Sequence, residues 1–129
     1  MMPTAIPEGA KCPLTTAMRN LENTHLAAVY APLNSDIGCW IMESRMWGAL
    51  QSEWAGLYQY SYNFSPVSSV LGLPVIIAPT MTGITLYNEE RGISFNLSDP
   101  TDSGTLGIKQ LPGHIDWLAL IKTGARAVA

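Results

Sequence analysis

The chain reads as a mainly β protein, an antiparallel β-sandwich or barrel-like domain with one or two short helices at its N-terminal end. Three observations predict this. Apolar residues recur at helical spacing only in the first half of the chain, as far as Trp54. From Tyr58 onward the period falls to two, the side-chain repeat of a strand. The later apolar runs are short and separated by Pro and Gly, which suits hairpins better than helical crossovers.

Residues Met1 to Leu14 carry three prolines and no periodicity, and they are expected to form an extended arm. A single β-rich domain is expected over residues 15–123, followed by a flexible tail over 124–129. Thr15 or Thr16 is placed to cap a first helix. Met18, Leu21, His25, Leu26 and Val29 would share one of its faces, and Pro32 would end it. Asn34-Ser35-Asp36 is a turn sequence, and Ile37 to Met42 is a short strand or the lead into a second helix. In that helix Ser44 is the expected N-cap, and Met46, Trp47, Leu50 and Trp54 form the apolar stripe. Gly56 stands where a left-handed terminal residue is wanted.

Tyr58, Tyr60, Tyr62 and Phe64 then alternate with Gln59, Ser61 and Asn63, which predicts a strand with one aromatic and one neutral polar face. Val75 to Ala78 is a β-branched run between prolines. Ile84 to Tyr87 and Ile93 to Leu97 flank Asn88-Glu89-Glu90-Arg91-Gly92 as a hairpin, with Gly92 at positive φ. The polar loop from Asp99 to Gly104 leads to a strand over Thr105 to Leu111. Trp117 to Lys122 is expected as a last strand, with a short helix as the alternative.

Charge is unusually scarce. No Asp, Glu, Lys, Arg or His occurs in the 35 residues from Trp54 to Asn88. Charged residues make up 13% of the chain, about half the usual share of roughly 25%. Apolar residues make up 47%, which excludes a disordered chain. The net charge of -3 and the mere three lysines, Lys11, Lys109 and Lys122, offer no basic stripe for nucleic acid or anionic lipid. The most apolar stretch, Val70 to Ala78, is too short for a transmembrane helix and contains Gly72 and Pro74. No secretory leader is legible at the N-terminus, where Pro3, Pro7 and Glu8 interrupt any apolar run, and a soluble chain is expected.

The residues that could carry chemistry are few. Cys12 and Cys39 have neither CxxC nor metal-ligand spacing and read as two buried thiols, with a disulfide as the alternative. His114 and Asp116, two apart on a strand, would point to one side and could share a ligand, and His25 could join them from the first helix. A turn histidine and a core histidine are the plainer readings. Glu89 and Glu90 read as a solvated hairpin tip. No phosphate loop, HExxH or GxSxG is present, so no catalytic, cofactor or metal residue is assigned.

A chain that avoids charge, is rich in Met and aromatic residues and shows no site suits a subunit covered by neighbours. The expected function is therefore structural, not enzymatic. It is a component of a large symmetric assembly, such as a capsid-decorating or tail protein of a phage-type virion, self-associating, for example as a trimer, and binding a larger protein assembly. Tyr58, Tyr60, Tyr62, Phe64, Gln59 and Trp54 are the expected contact residues. The alternative is a small β-barrel ligand-binding protein or enzyme with a pocket lined by Trp and Tyr, using His114 and Asp116 with His25.

Overall fold

The computed structural model describes residues 13–57, 69–100 and 107–128. Of the arm expected over residues 1–14, residues 1–12 lie outside the described residues, as does the tyrosine-rich stretch Tyr58 to Phe64, while Pro13 and Leu14 are helical and not extended.

The first helix, α1, runs Pro13–Val29. Proline suits the opening position because its missing N–H would be unpaired there in any case. Leu14, Ala17, Met18, Leu21 and His25 are buried on one face, while Leu26 is exposed. The helix stops where Tyr30 turns to φ 60°. Asn34 then forms the expected turn, its Oδ1 accepting the Asp36 N–H at 2.9 Å. Strand β1, Gly38–Met42, follows and is buried along its whole length. Helix α2 spans Ser44–Leu57 and continues past Gly56, where its end was expected. Its first turn is anchored by the Glu43 carbonyl, which accepts the Met46 and Trp47 N–H groups.

Strands β2 (Ser69–Val70) and β3 (Leu73–Ile77) form a tight hairpin with both turn residues, Leu71 and Gly72, at positive φ. Strands β4 (Ile84–Asn88) and β5 (Ile93–Leu97) form the predicted second hairpin, with Gly92 at φ 61°. Strand β6, Ile108–Pro112, adds antiparallel to β5. Helix α3, Trp117–Lys122, and strand β7, Arg126–Ala127, complete the described chain.

The strands lie in the order β2-β3-β1-β4-β5-β6, with β7 on the outer edge of β3. Antiparallel pairing over β1-β4-β5-β6 agrees with the sequence, but three expectations need correction. The sheet is open among the described residues, not a sandwich or barrel, and it is mixed, because β1 and β3 run parallel. A parallel pair needs a crossover, and α2 lies within it. Trp117 to Lys122 is helical, because the Asp116 carboxylate caps it by accepting the Ala119 N–H at 3.2 Å. The residues expected to trail free instead return to the sheet, where Ala125 is buried and the Val128 N–H reaches the Val75 carbonyl at 3.0 Å.

The two-residue alternation of each strand builds a core on both faces of the sheet. On the front, Trp40, Met42, Val75, Leu86 and Phe95 pack against α1 and α2. At its centre the Trp40 Nε1–H donates to the Val70 carbonyl at 2.9 Å, which pins the β2–β3 hairpin to β1. On the back, Cys39, Ile41, Ala78 and Tyr87 pack with Ala125, Trp117 and Leu120. The layers are therefore two helices, a sheet and a smaller helical cover.

Candidate functional site

The back of the sheet holds the densest set of polar groups around a cleft. Strand register sets the row Cys39, Tyr87, Ser94, Leu111 across β1, β4, β5 and β6. The segment from Ile115 through α3 covers the Cys39–Tyr87 end of this row. Tyr87 has no exposed surface, and its hydroxyl accepts the Ile115 N–H at 3.0 Å. The Glu89 carboxylate lies close by, and its charge acts on the phenol. That carboxylate accepts the Trp117 Nε1–H at 3.1 Å, and the two aromatic rings meet edge to face with centroids 5.8 Å apart. Glu89 is itself set by its backbone N–H, which donates to the Ile37 carbonyl at 2.7 Å.

Beside this network lies a cleft of about 250 Å³. Its apolar floor includes Cys39, Pro74 and Ile76, and its polar rim includes Asp36 and Glu89. Burial and the nearby Glu89 charge push the Cys39 thiol up to about 12. Cys39 is therefore a free, protonated thiol and a poor nucleophile. Burial likewise raises the Tyr87 phenol, opposed by the Ile115 N–H and assisted by Glu89. The cleft thus presents oriented acceptors without an activated nucleophile, which equips it for binding.

The residues singled out from the sequence do not converge. Asp116 is spent on capping α3. His114 is exposed, with its ring stacked over the α-carbon side of Gly92, where an added Cβ would meet it at 2.5 Å. His25 lies on the opposite face of the sheet, against Phe95 at 5.6 Å between ring centroids. There the Asn88 side-chain amide donates to His25 Nε2 at 2.9 Å, while Asn88 Oδ1 accepts the Arg91 N–H at 2.9 Å. Since a backbone N–H can only donate, the bond from Arg91 fixes which Asn88 atom is oxygen. The amide nitrogen then faces the imidazole, and His25 is neutral with its proton on Nδ1. Burial, with the Arg91 charge second, lowers its pKa. His25 also lines a recess of about 240 Å³ beside Glu22, whose carboxyl burial pushes up.

Trp54, expected at a contact surface, is instead buried in the front core at 8% exposure and donates its Nε1–H to Thr15 Oγ1 at 3.0 Å. Tyr58, Gln59, Tyr60, Tyr62 and Phe64 fall outside the described residues. No group of three metal-ligating side chains occurs among the described residues, and no described helix is long and apolar enough to cross a membrane. The sequence reading passed over Tyr87, Glu89 and Trp117 as a site. Glu89 and Trp117 are 28 residues apart, and only the β1–β4 register and the seating of α3 bring the three together. No family model, curated protein or solved structure matches the chain.

Proposed function

We propose that this chain is a structural subunit that works through protein–protein contact, first of all with further copies of itself. The observation that supports this is the apolar surface left outward on the back of the molecule. Helix α3 has no fully buried residue, and it presents Leu118 and Ile121 at 74% and 58% exposure. On the outermost strand, Leu111 is 47% exposed. Burying such side chains is worth roughly 1.5–3 kcal/mol each, the principal driving force of association. The same surface carries both signs of charge, Lys109 and Lys122 with Glu89 and Asp116, so a second copy meets it without net repulsion. A place on a viral shell or tail is the form of this role expected from the low-charge composition, and it stands on composition alone.

The test is the mass in solution by light scattering. The wild-type chain should run at a multiple of 14.0 kDa. Leu118→Asp with Ile121→Asp should return the monomer while leaving the circular dichroism unchanged, because neither side chain is part of the core. A wild-type monomer at concentrations of about 100 μM, well above the μM range of weak specific dimers, would remove the reading.

A further inference from the structure

We propose that the cleft beside Tyr87 binds a cationic group on a short alkyl stem, an ammonium or guanidinium of the kind lysine and arginine carry. Four observations point to this. The first is charge. The lining includes two carboxylates, Asp36 and Glu89, and no Lys, Arg or His. In a chain with so few charges, two acids in the lining and no cation there set the sign of the guest.

The second is orientation. Trp117 Nε1–H donates to Glu89 Oε2, and the Glu89 backbone N–H is bonded to the Ile37 carbonyl. A carboxylate offers about four lone-pair positions, so acceptor capacity remains for a guest. Charge-assisted bonds to a carboxylate held in place are among the stronger polar contacts.

The third is the wall. Trp117 stands at the mouth, its ring fixed edge-on to Tyr87. An indole is the best aromatic partner for a cation, and it also covers the methylenes of a stem. The fourth is size and floor. The cleft holds about 250 Å³, below the roughly 300 Å³ at which pockets for drug-sized ligands begin. A single side chain fits it. The floor of Pro74, Ile76 and Cys39 suits methylenes, and the neutral thiol adds no charge there.

The proposal does not depend on self-association. The probes are n-butylammonium, Nα-acetyl-lysine amide, a short peptide with a central lysine, and that peptide with the lysine Nε-acetylated. The readout is the NMR resonance of the Trp117 indole N–H, which sits on Glu89. The cationic probes should shift it saturably, with dissociation constants on the order of 1 mM for the small amines. Equal binding of n-butylammonium and the peptide would make the source any small amine. Binding at least about tenfold tighter for the peptide would make it a side chain of a protein partner.

Glu89→Gln keeps an acceptor for Trp117 and should weaken binding about tenfold or more. Asp36→Asn, at the exposed opposite rim, should weaken it less. A response to the acetylated peptide equal to that of the cationic one would overturn the proposal. So would unchanged affinity in both variants. The Leu118→Asp, Ile121→Asp chain should still bind n-butylammonium, so loss of assembly and loss of this site are read separately.

Discussion

Glu53, near the end of α2, caps the start of α1. Its two carboxylate oxygens accept the backbone N–H groups of Leu14 and Thr15, each at 3.0 Å, and Oε2 also accepts the Thr15 hydroxyl at 2.7 Å. The sequence marks Thr15 as a possible cap, yet Thr15 lies inside the helix and a residue 38 positions away does the capping. A carboxylate at a helix N-terminus satisfies unpaired donors and opposes the positive end of the helix dipole. Glu53→Ala should therefore lower stability by about 2 kcal/mol, and Glu53→Gln by less, since it keeps one acceptor. Urea midpoints measure this. A loss below about 0.5 kcal/mol for the alanine variant would show that the cap carries little.

His25 should give the fold a dependence on pH. Its folded pKa lies below the ordinary 6.5, chiefly through burial and secondly through Arg91. The unfolded chain therefore binds the proton more readily. The stability linked to neutral His25 is complete above pH 6.5 and declines as pH falls from there toward the folded value. Glu22 acts with the opposite sign, because its folded pKa is raised above 4.5 and protonation favours the folded form. The difference between wild type and His25→Gln isolates the histidine. Wild type should lose more stability than the variant on going from pH 7.5 to below 6, and parallel pH profiles would contradict the neutral assignment.

Cys39 should resist thiol reagents in the native protein. With its thiol pushed up to about 12, the thiolate fraction at pH 8 is on the order of 10⁻⁴, so the reactive form is scarce even at the floor of the cleft. Labelling followed by mass mapping should modify Cys39 only after denaturant is added. Fast native labelling at this position would mean that the back layer opens readily. Cys39→Ser should cost about 1–3 kcal/mol, because it places a hydroxyl in the apolar cluster.

Two glycines should respond differently to the same change. Gly83 and Gly92 both have positive φ, 68° and 61°. An added methyl at Gly83 would strike the Leu97 carbonyl and the Ser98 backbone of β5 and its end. At Gly92 the nearest atoms are those of the His114 ring, which is exposed and can rotate away. Gly92→Ala should cost about 1 kcal/mol, the strain of the backbone conformation, and Gly83→Ala clearly more. Thermal melts of the two variants give the order, and the reverse order would contradict the packing.

Much of the local structure was legible in the sequence, because periodicity and turn chemistry are short-range. The stripe Met18, Leu21, His25 marked the buried face of α1. Asn34-Ser35-Asp36 announced its turn, and Asn88 to Gly92 its hairpin with a positive-φ glycine. What went astray depended on distant partners. Trp117 to Lys122 has apolar residues that suit either period, and the Asp116 cap settled it as a helix. Trp54 looked like a contact residue until α1 packed over it and Thr15 took its indole N–H. Asp116 was paired with His114 by spacing alone, and capping separated their roles.

The sequence by itself determined the two helices before residue 58, the hairpin around Asn88 to Gly92, and the scarcity of charge. The tertiary structure decided that β1 and β3 run parallel, that the sheet stays open among the described residues, and that Tyr87, Glu89 and Trp117 share one cleft. The reason is range. Periodicity, capping and turn preferences act over a few residues and are written in order along the chain. Strand register and the seating of α3 are set by which apolar faces bury one another across 28 or more residues, and no local pattern encodes that choice.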